Sequence, residues 1–75
     1  MPPKQTNISD RLAGLSEREQ QVAALVCEGL SNKAIAQKLK VREGTIKGHL
    51  HKIFYKLGIQ SRFALIDAFA RAKSD

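Results

Sequence analysis

Apolar residues recur at the period of an α-helix through the second half of the chain, and this spacing limits the folds open to its 75 residues. The longest stripe falls at i, i+4, i+7, i+8 and i+11 and consists of Ile46, Leu50, Ile53, Phe54 and Leu57. Such a stripe buries one side of a helix over about three turns. No segment alternates apolar and polar residues with the period of two typical of a strand. The sequence therefore predicts an all-α domain without a β-sheet.

Start and stop signals divide the chain into four predicted helices. Serines that can cap helix N-termini stand at positions 16, 31 and 61, and glycines that can close helices stand at 29 and 58. The first predicted helix begins at residue 17 and is closed by the glycine at 29. The other three cover residues 32–39, about 43–57, and 62 to about 72. Residues 1–10 are polar and lack apolar periodicity, so we expect a flexible tail or linker there. The folded domain is expected to cover residues 11–75.

A chain of this length has a small core and needs a disulfide, a metal, a partner or very regular helix packing to stabilise it. Its single cysteine, Cys27, rules out an internal disulfide and is expected to be a buried, unreactive thiol. His49 and His51 diverge by about 200° on a helix and cannot share a metal. The longest unbroken apolar run has six residues, too few to cross a membrane. We therefore expect no cofactor, no metal site, no membrane association and no enzymatic activity.

Positive charge is concentrated in the middle of the chain. The formal net charge is +6, and residues 31–57 account for all of it, with seven basic residues against the single acid Glu43. The basic and acidic residues outside this segment cancel. A basic centre between neutral ends suits a polyanionic partner such as a nucleic acid, although a merely solvated lysine face has the same composition.

The side of the third predicted helix opposite its apolar stripe is polar and basic. It presents Gly44, Gly48, His51, Lys52 and Tyr55, and an interior glycine costs a helix up to about 1 kcal/mol. Close approach of another backbone or of DNA would explain two such glycines. A short helix, a tight turn and a longer basic helix form a helix-turn-helix, in which the longer helix meets base edges in the major groove.

Four ordered sequence blocks resemble the LuxR/GerE family of helix-turn-helix proteins, also known as the FixJ/NarL family. The blocks are L-S-E-R-E at 15–19, E-G-L-S-N-K-A-I-A at 28–36, E-G-T-I-K-G-H-L at 43–50 and K-L-G-I-Q-S-R at 56–62. The resemblance extends over roughly residues 13–70, almost the whole of the folded chain. The resemblance implies a four-helix domain that binds duplex DNA in a bacterial transcription regulator. It also implies either the output domain of a response regulator or a small free-standing regulator, acting in the bacterial cytoplasm.

The resemblance assigns DNA contacts to several matching positions. Asn32 and Lys33 match a block that approaches phosphates, and Thr45 and Lys47 match a block in which the lysine is the most consistent DNA contact. Gly48 occupies a variable base-facing position, where its small size implies weak readout.

The resemblance implies further contacts on the third predicted helix and in the residues that flank it. His51 occupies the second variable base-facing position, and Lys52 lies on the same outer face. Lys56 and Arg62 are implied to contact the DNA backbone. Arg42 stands where the family usually has a capping serine, so it should lose the cap while adding a phosphate contact.

The last predicted helix is the one through which domains of this family dimerise. It carries two apolar stripes about 150° apart, and the residues leave open which of them faces inward. We expect Phe63 and Ile66 to pack inward and Leu65, Phe69 and Ala72 to form the interface of a weak homodimer. The expected partners are a two-fold symmetric DNA operator and RNA polymerase.

Two other binding functions fit parts of the same pattern. The apolar last helix would also suit a helical protein-interaction module. The basic face would also suit RNA, although Tyr55 is the only aromatic residue there that could stack on a base.

Overall fold

The computed structural model describes residues 8–74 and contains five helices in that range: α1 (Ile8–Ala13), α2 (Glu17–Cys27), α3 (Asn32–Leu39), α4 (Glu43–Leu57) and α5 (Arg62–Ser74). No strand occurs among these residues. The all-α prediction and the positions of α2 to α5 are confirmed. The predicted tail is wrong for residues 8–10, which belong to α1. Its remaining part, residues 1–7, lies outside the described residues.

Helix α1 was missed because six residues are too few to show helical periodicity. A helix this short is unstable alone and depends on tertiary contacts. Leu12 packs against the core, and Arg11 Nη1 donates a 3.0 Å hydrogen bond to the carbonyl of Leu57. This carbonyl belongs to the last turn of α4, so α1 caps the end of that helix.

The helix boundaries follow from local hydrogen bonds. Ser16 caps α2 as predicted and forms a capping box with Glu19: the Glu19 N–H donates to Ser16 Oγ at 3.1 Å, and the Ser16 N–H donates to Glu19 Oε1 at 2.9 Å. At the other end of α2, Gly29 has a φ of 95° and the Leu30 N–H donates to the Leu25 carbonyl. This is the predicted Schellman closure.

The turn between α3 and α4 consists of residues 40–42. Lys40 has a φ of 60°, in the left-handed region that side chains disfavour. The conformation lets the Val41 N–H donate to the Ala36 carbonyl at 2.9 Å, while the Val41 side chain packs against the core. Val41 therefore anchors this turn to the core.

The core lies where α2, α4 and α5 meet, with α3 packed against α4. Its fully buried large side chains are Ile35, Ile46, Ile53, Leu57, Leu65, Val22 and Val26. Phe54 and Leu39 are partly buried and pack against this cluster. None of the helices described between residues 8 and 74 is long and apolar enough to cross a lipid bilayer.

The two stripes of α5 face the opposite way from our expectation. Leu65 has no exposed surface and Phe69 packs against the core, whereas Phe63 is 82% exposed and Ile66 is 36% exposed. Ala72 is half-buried. The assignment of Leu65 and Phe69 to an interface is therefore wrong.

A side-chain contact joins the start of α5 to the start of α3, where the guanidinium of Arg62 bonds Asn32. At about 100° per residue Arg62 lies between the two stripes, about 40° from Ile66 and about 60° from Leu65. This contact alone therefore does not select the stripe that is buried.

Candidate nucleic-acid interface

The outer face of α4 is assembled by burial of its apolar stripe. Ile46 and Ile53 have no exposed surface, and Leu50 and Leu57 are nearly as deeply buried. The opposite side is exposed along the whole helix, and its members are Gly44, Thr45, Lys47, Gly48, His51, Lys52 and Tyr55. Tyr55 is 86% exposed. This side is therefore available to a large partner along its full length.

The two glycines of this face have no structural role inside the domain. A Cβ atom placed on Gly44 or Gly48 would meet no atom of the described residues within 4 Å. Close approach of another part of the chain therefore does not explain them. The two glycines leave the outer face of α4 without side chains at positions 44 and 48.

The N-terminus of α4 lacks a side-chain cap. Arg42 occupies the N-cap position with extended backbone and makes no capping hydrogen bond, as its departure from serine implied. Its side chain is exposed beside Glu43, which lies in the first turn of the helix. A cation at a helix N-terminus is unfavourable unless an anion compensates it.

An open cleft joins the outer face of α4 to the starts of α3 and α5. It is lined by Asn32, Lys47, Leu50, His51, Phe54, Gln60, Ser61 and Arg62. Leu50 and Phe54 give the lining an apolar part, its polar groups are basic or neutral, and none of the described lining residues is acidic. Gln60 and Ser61 were not expected here, because only the direction of the turn after α4 brings them beside α3. Ser61 also caps α5, its Oγ accepting from the Ala64 N–H at 3.1 Å.

The start of α3 lies at this cleft and is capped by Ser31, whose Oγ accepts from the Ala34 N–H at 3.1 Å. Asn32 is half-buried and Lys33 is exposed. The structure therefore brings Asn32 to the same cleft as Lys47 and His51, which lie far from it in the sequence.

Two residues that the resemblance offered as DNA contacts are held by other protein groups. Lys56 Nζ lies 2.8 Å from Glu19 Oε1. Arg62 donates from Nη1 to Asn32 Oδ1 at 2.7 Å and from Nη2 to the carbonyl of Leu30. Both side chains therefore have structural partners on other helices.

The residues considered for other chemistry do not converge. Cys27 is half-buried rather than buried, and His49 is half-buried while His51 is exposed. Within the described part of the chain, no group of three His, Cys, Asp or Glu side chains is placed to hold a metal ion.

A short helix, a three-residue turn and a longer helix with an exposed basic face define a helix-turn-helix domain of the DNA-binding class. Residues 13–69 match the family described as bacterial regulatory proteins, luxR family. The chain belongs to this family. Its members are DNA-binding transcriptional regulators and not enzymes.

Individual relatives and solved structures agree with this family. The chain is 47% identical over 60 residues to an HTH-type transcriptional regulator of Mycobacterium tuberculosis, covering 80% of this chain and 7% of that protein. It is 45% identical over 53 residues to transcriptional regulatory protein LnrK of Bacillus subtilis, covering 71% and 24%. The structure of response regulator StyR matches with a TM-score of 0.80 at 38% identity, covering 85% of this chain and 32% of that one. The chain thus spans a minor part of the length of each relative.

Proposed function

We propose that this domain binds a two-fold symmetric operator in duplex DNA as a homodimer, with α4 in the major groove of each half-site. The observation that carries the proposal is the outer face of α4, which is exposed, basic and free of acids beyond Glu43. Lys47, His51 and Lys52 are the side chains that reach toward the groove. Asn32, Lys33 and Arg42 lie at the helix starts and meet the phosphate backbone.

The homodimer forms through the exposed stripe of α5. Phe63 and Ile66 are large apolar side chains on this surface, and a second copy would remove both from water. A two-fold contact between identical helices is self-complementary and pairs two recognition helices with two half-sites. The interface is small, so DNA binding and dimerisation reinforce each other.

The names of its relatives support a position for the domain within a regulator. StyR is described as a response regulator, and it matches this chain over one third of its own length. By this analogy the domain serves as the output part of a response regulator or as a free-standing small regulator, and RNA polymerase is its partner at promoters. The protein acts in the bacterial cytoplasm, where the chromosome lies.

Selection of bound duplexes from a random pool, followed by footprinting, tests this function. We expect an inverted-repeat motif whose half-site centres lie about one helical turn apart or a multiple of it. Binding should weaken steeply between low and moderate salt. No enrichment of any duplex, or equal binding of single-stranded RNA, would contradict the proposal.

Two substitutions assign roles within the face. Lys47→Ala should weaken binding to all sequences and reduce the salt slope by about one unit, as loss of a phosphate contact does. His51→Ala should change the selected motif at one base pair per half-site, by about 1–3 kcal/mol. An unchanged motif for His51→Ala would remove this residue from base readout.

A further inference from the structure

Arg62 links the first turn of α5 to the first turn of α3. Its two terminal nitrogens are engaged on either side of Ser31: Nη1 donates to Asn32 Oδ1 at 2.7 Å, and Nη2 donates to the Leu30 carbonyl. Arg62 itself is half-buried. The planar guanidinium therefore fixes both the start of α3 and the orientation of the Asn32 amide.

The chemistry of this pair determines what Asn32 offers to a ligand. A guanidinium has donors and no acceptor, so the Asn32 atom that faces Arg62 must be the amide oxygen. The amide NH2, which can only donate, then faces away from Arg62. Asn32 also lines the open cleft beside Lys47 and His51. A ligand in that cleft consequently meets a donor at this position.

The surroundings of Asn32 select an anion. The backbone N–H groups of Asn32 and Lys33 lie in the first turn of α3 and lack acceptors within the helix. Lys47 in the lining and the exposed Lys33 next to Asn32 add positive charge, and none of the described lining residues is acidic. These donors match a phosphate oxygen of the DNA backbone.

We propose that Arg62 is a positioning residue, which holds Asn32 so that its NH2 donates to a DNA phosphate, and that Arg62 does not bind phosphate itself. The inference rests on the proposed function, since it requires duplex DNA against this cleft. The inference also gives Arg62 a second role. The same side chain joins the first turn of α5 to a DNA-contacting residue on α3, so the dimer helix and the phosphate contact are linked through one residue.

A double-mutant cycle measures the coupling. Arg62→Gln, Asn32→Ala and the double variant are titrated with the selected duplex over a range of salt concentrations. Each single variant should lose about tenfold in affinity, the scale of one hydrogen bond to a charged group. The double variant should lose no more than either single variant. The salt slope of Arg62→Gln should stay within roughly half a unit of the wild-type slope, whereas Lys47→Ala loses about one unit.

Asn32→Asp separates the DNA contact from the structural pair. The aspartate can still accept from Arg62, so the thermal stability should be kept, but it has no NH2 and DNA affinity should fall at least about tenfold. Gln37→Glu, an exposed change on the same helix, adds the same charge away from the cleft and should lose less.

Three results would overturn the proposal: additive losses in the cycle, a salt slope one unit lower for Arg62→Gln, or wild-type affinity for Asn32→Asp. Each of them presupposes that the unsubstituted domain binds the duplex. Failure of the unsubstituted domain to bind would instead reject the proposed function.

Discussion

The carboxylate of Glu19 and the ammonium of Lys56 join the first turn of α2 to the last turn of α4, with Oε1 and Nζ 2.8 Å apart. The Glu19 side chain is only 6% exposed, while that of Lys56 is 41% exposed. The hydrogen bond from Lys56 is the main cause that lowers the pKa of Glu19 below its usual value of 4.5; the Ser16 N–H contributes in the same direction, and burial opposes both. Lys56 therefore stabilises the position of α4 through its contact with α2.

Glu19 should make stability depend on pH in the acid range. Because its pKa is lower in the folded state than in the unfolded state, its contribution is fully present above pH 4.5 and is lost as the pH falls through the lower folded value. Urea unfolding at a series of pH values from 7 down to 2 is the measurement, and the free energy of unfolding of the wild type should drop in that window.

Glu19→Gln is the matched variant, because glutamine keeps the capping-box geometry and removes the charge. It should cost about 1 kcal/mol at pH 7, near the low end for a charged hydrogen bond because water reaches Lys56. Its pH dependence between 4.5 and the acid limit should be flatter than that of the wild type. Parallel curves for the two proteins would show that other carboxylates cause the acid loss.

Phe63→Lys and Leu65→Lys form a pair that separates dimerisation from folding. Phe63 is 82% exposed, so its replacement should leave the melting temperature nearly unchanged and lower the self-association constant and the affinity for a two-half-site operator. Leu65 is fully buried, so a lysine there places a charge in the core and should unfold the domain. Circular dichroism and sedimentation equilibrium distinguish the two effects. Unchanged self-association in Phe63→Lys would reject the α5 interface.

Gly48→Ala should stabilise the domain by up to about 1 kcal/mol, because alanine favours a helix interior and the added methyl has open space around it. Gly58→Ala is the opposite control. Its φ is +69° and a Cβ there would lie 3.0 Å from Arg11 Nη1, so it should lower the melting temperature. If α4 lies against base edges, Gly48→Ala should also bind DNA less tightly while melting higher. A gain in both DNA affinity and melting temperature would show that the face of α4 at Gly48 does not approach DNA closely.

Arg42→Ser should restore the missing cap of α4. A serine hydroxyl can accept from a backbone N–H in the first turn, which is worth about 1 kcal/mol of unfolding free energy. Arg42→Ala removes the same cation without supplying a cap, so the difference between the two variants isolates the hydrogen bond. DNA affinity should fall equally in both if Arg42 contacts phosphate. Equal stabilities would mean that the serine does not cap the helix.

The sequence predicted the helices with good bounds because their signals are local. Ser16, Gly29 and Gly58 act on backbone groups within a few residues, and the stripe from Ile46 to Leu57 needs no knowledge of the rest of the chain. Helix α1 escaped prediction because it depends on a contact between Arg11 and Leu57, which are 46 residues apart.

The rotation of α5 could not be derived for a related reason. Both of its stripes are apolar, and which of Leu65 and Phe63 is buried depends on how α5 packs against helices that are distant in the sequence. The same reasoning applies to Lys56, whose partner Glu19 lies on another helix. Motif matching finds such basic residues but does not reveal that another side chain already holds them.

The turn at residues 40–42 has a consequence for how such domains can diverge. The left-handed backbone of Lys40 and the hydrogen bond from the Val41 N–H to the Ala36 carbonyl set its shape. Together they fix the position of α4 relative to α3. Adding or deleting one residue there would disrupt this bond and shift α4 relative to α3. Binding preference can therefore change through substitutions along α4, one side chain at a time, while the length of this connection stays fixed.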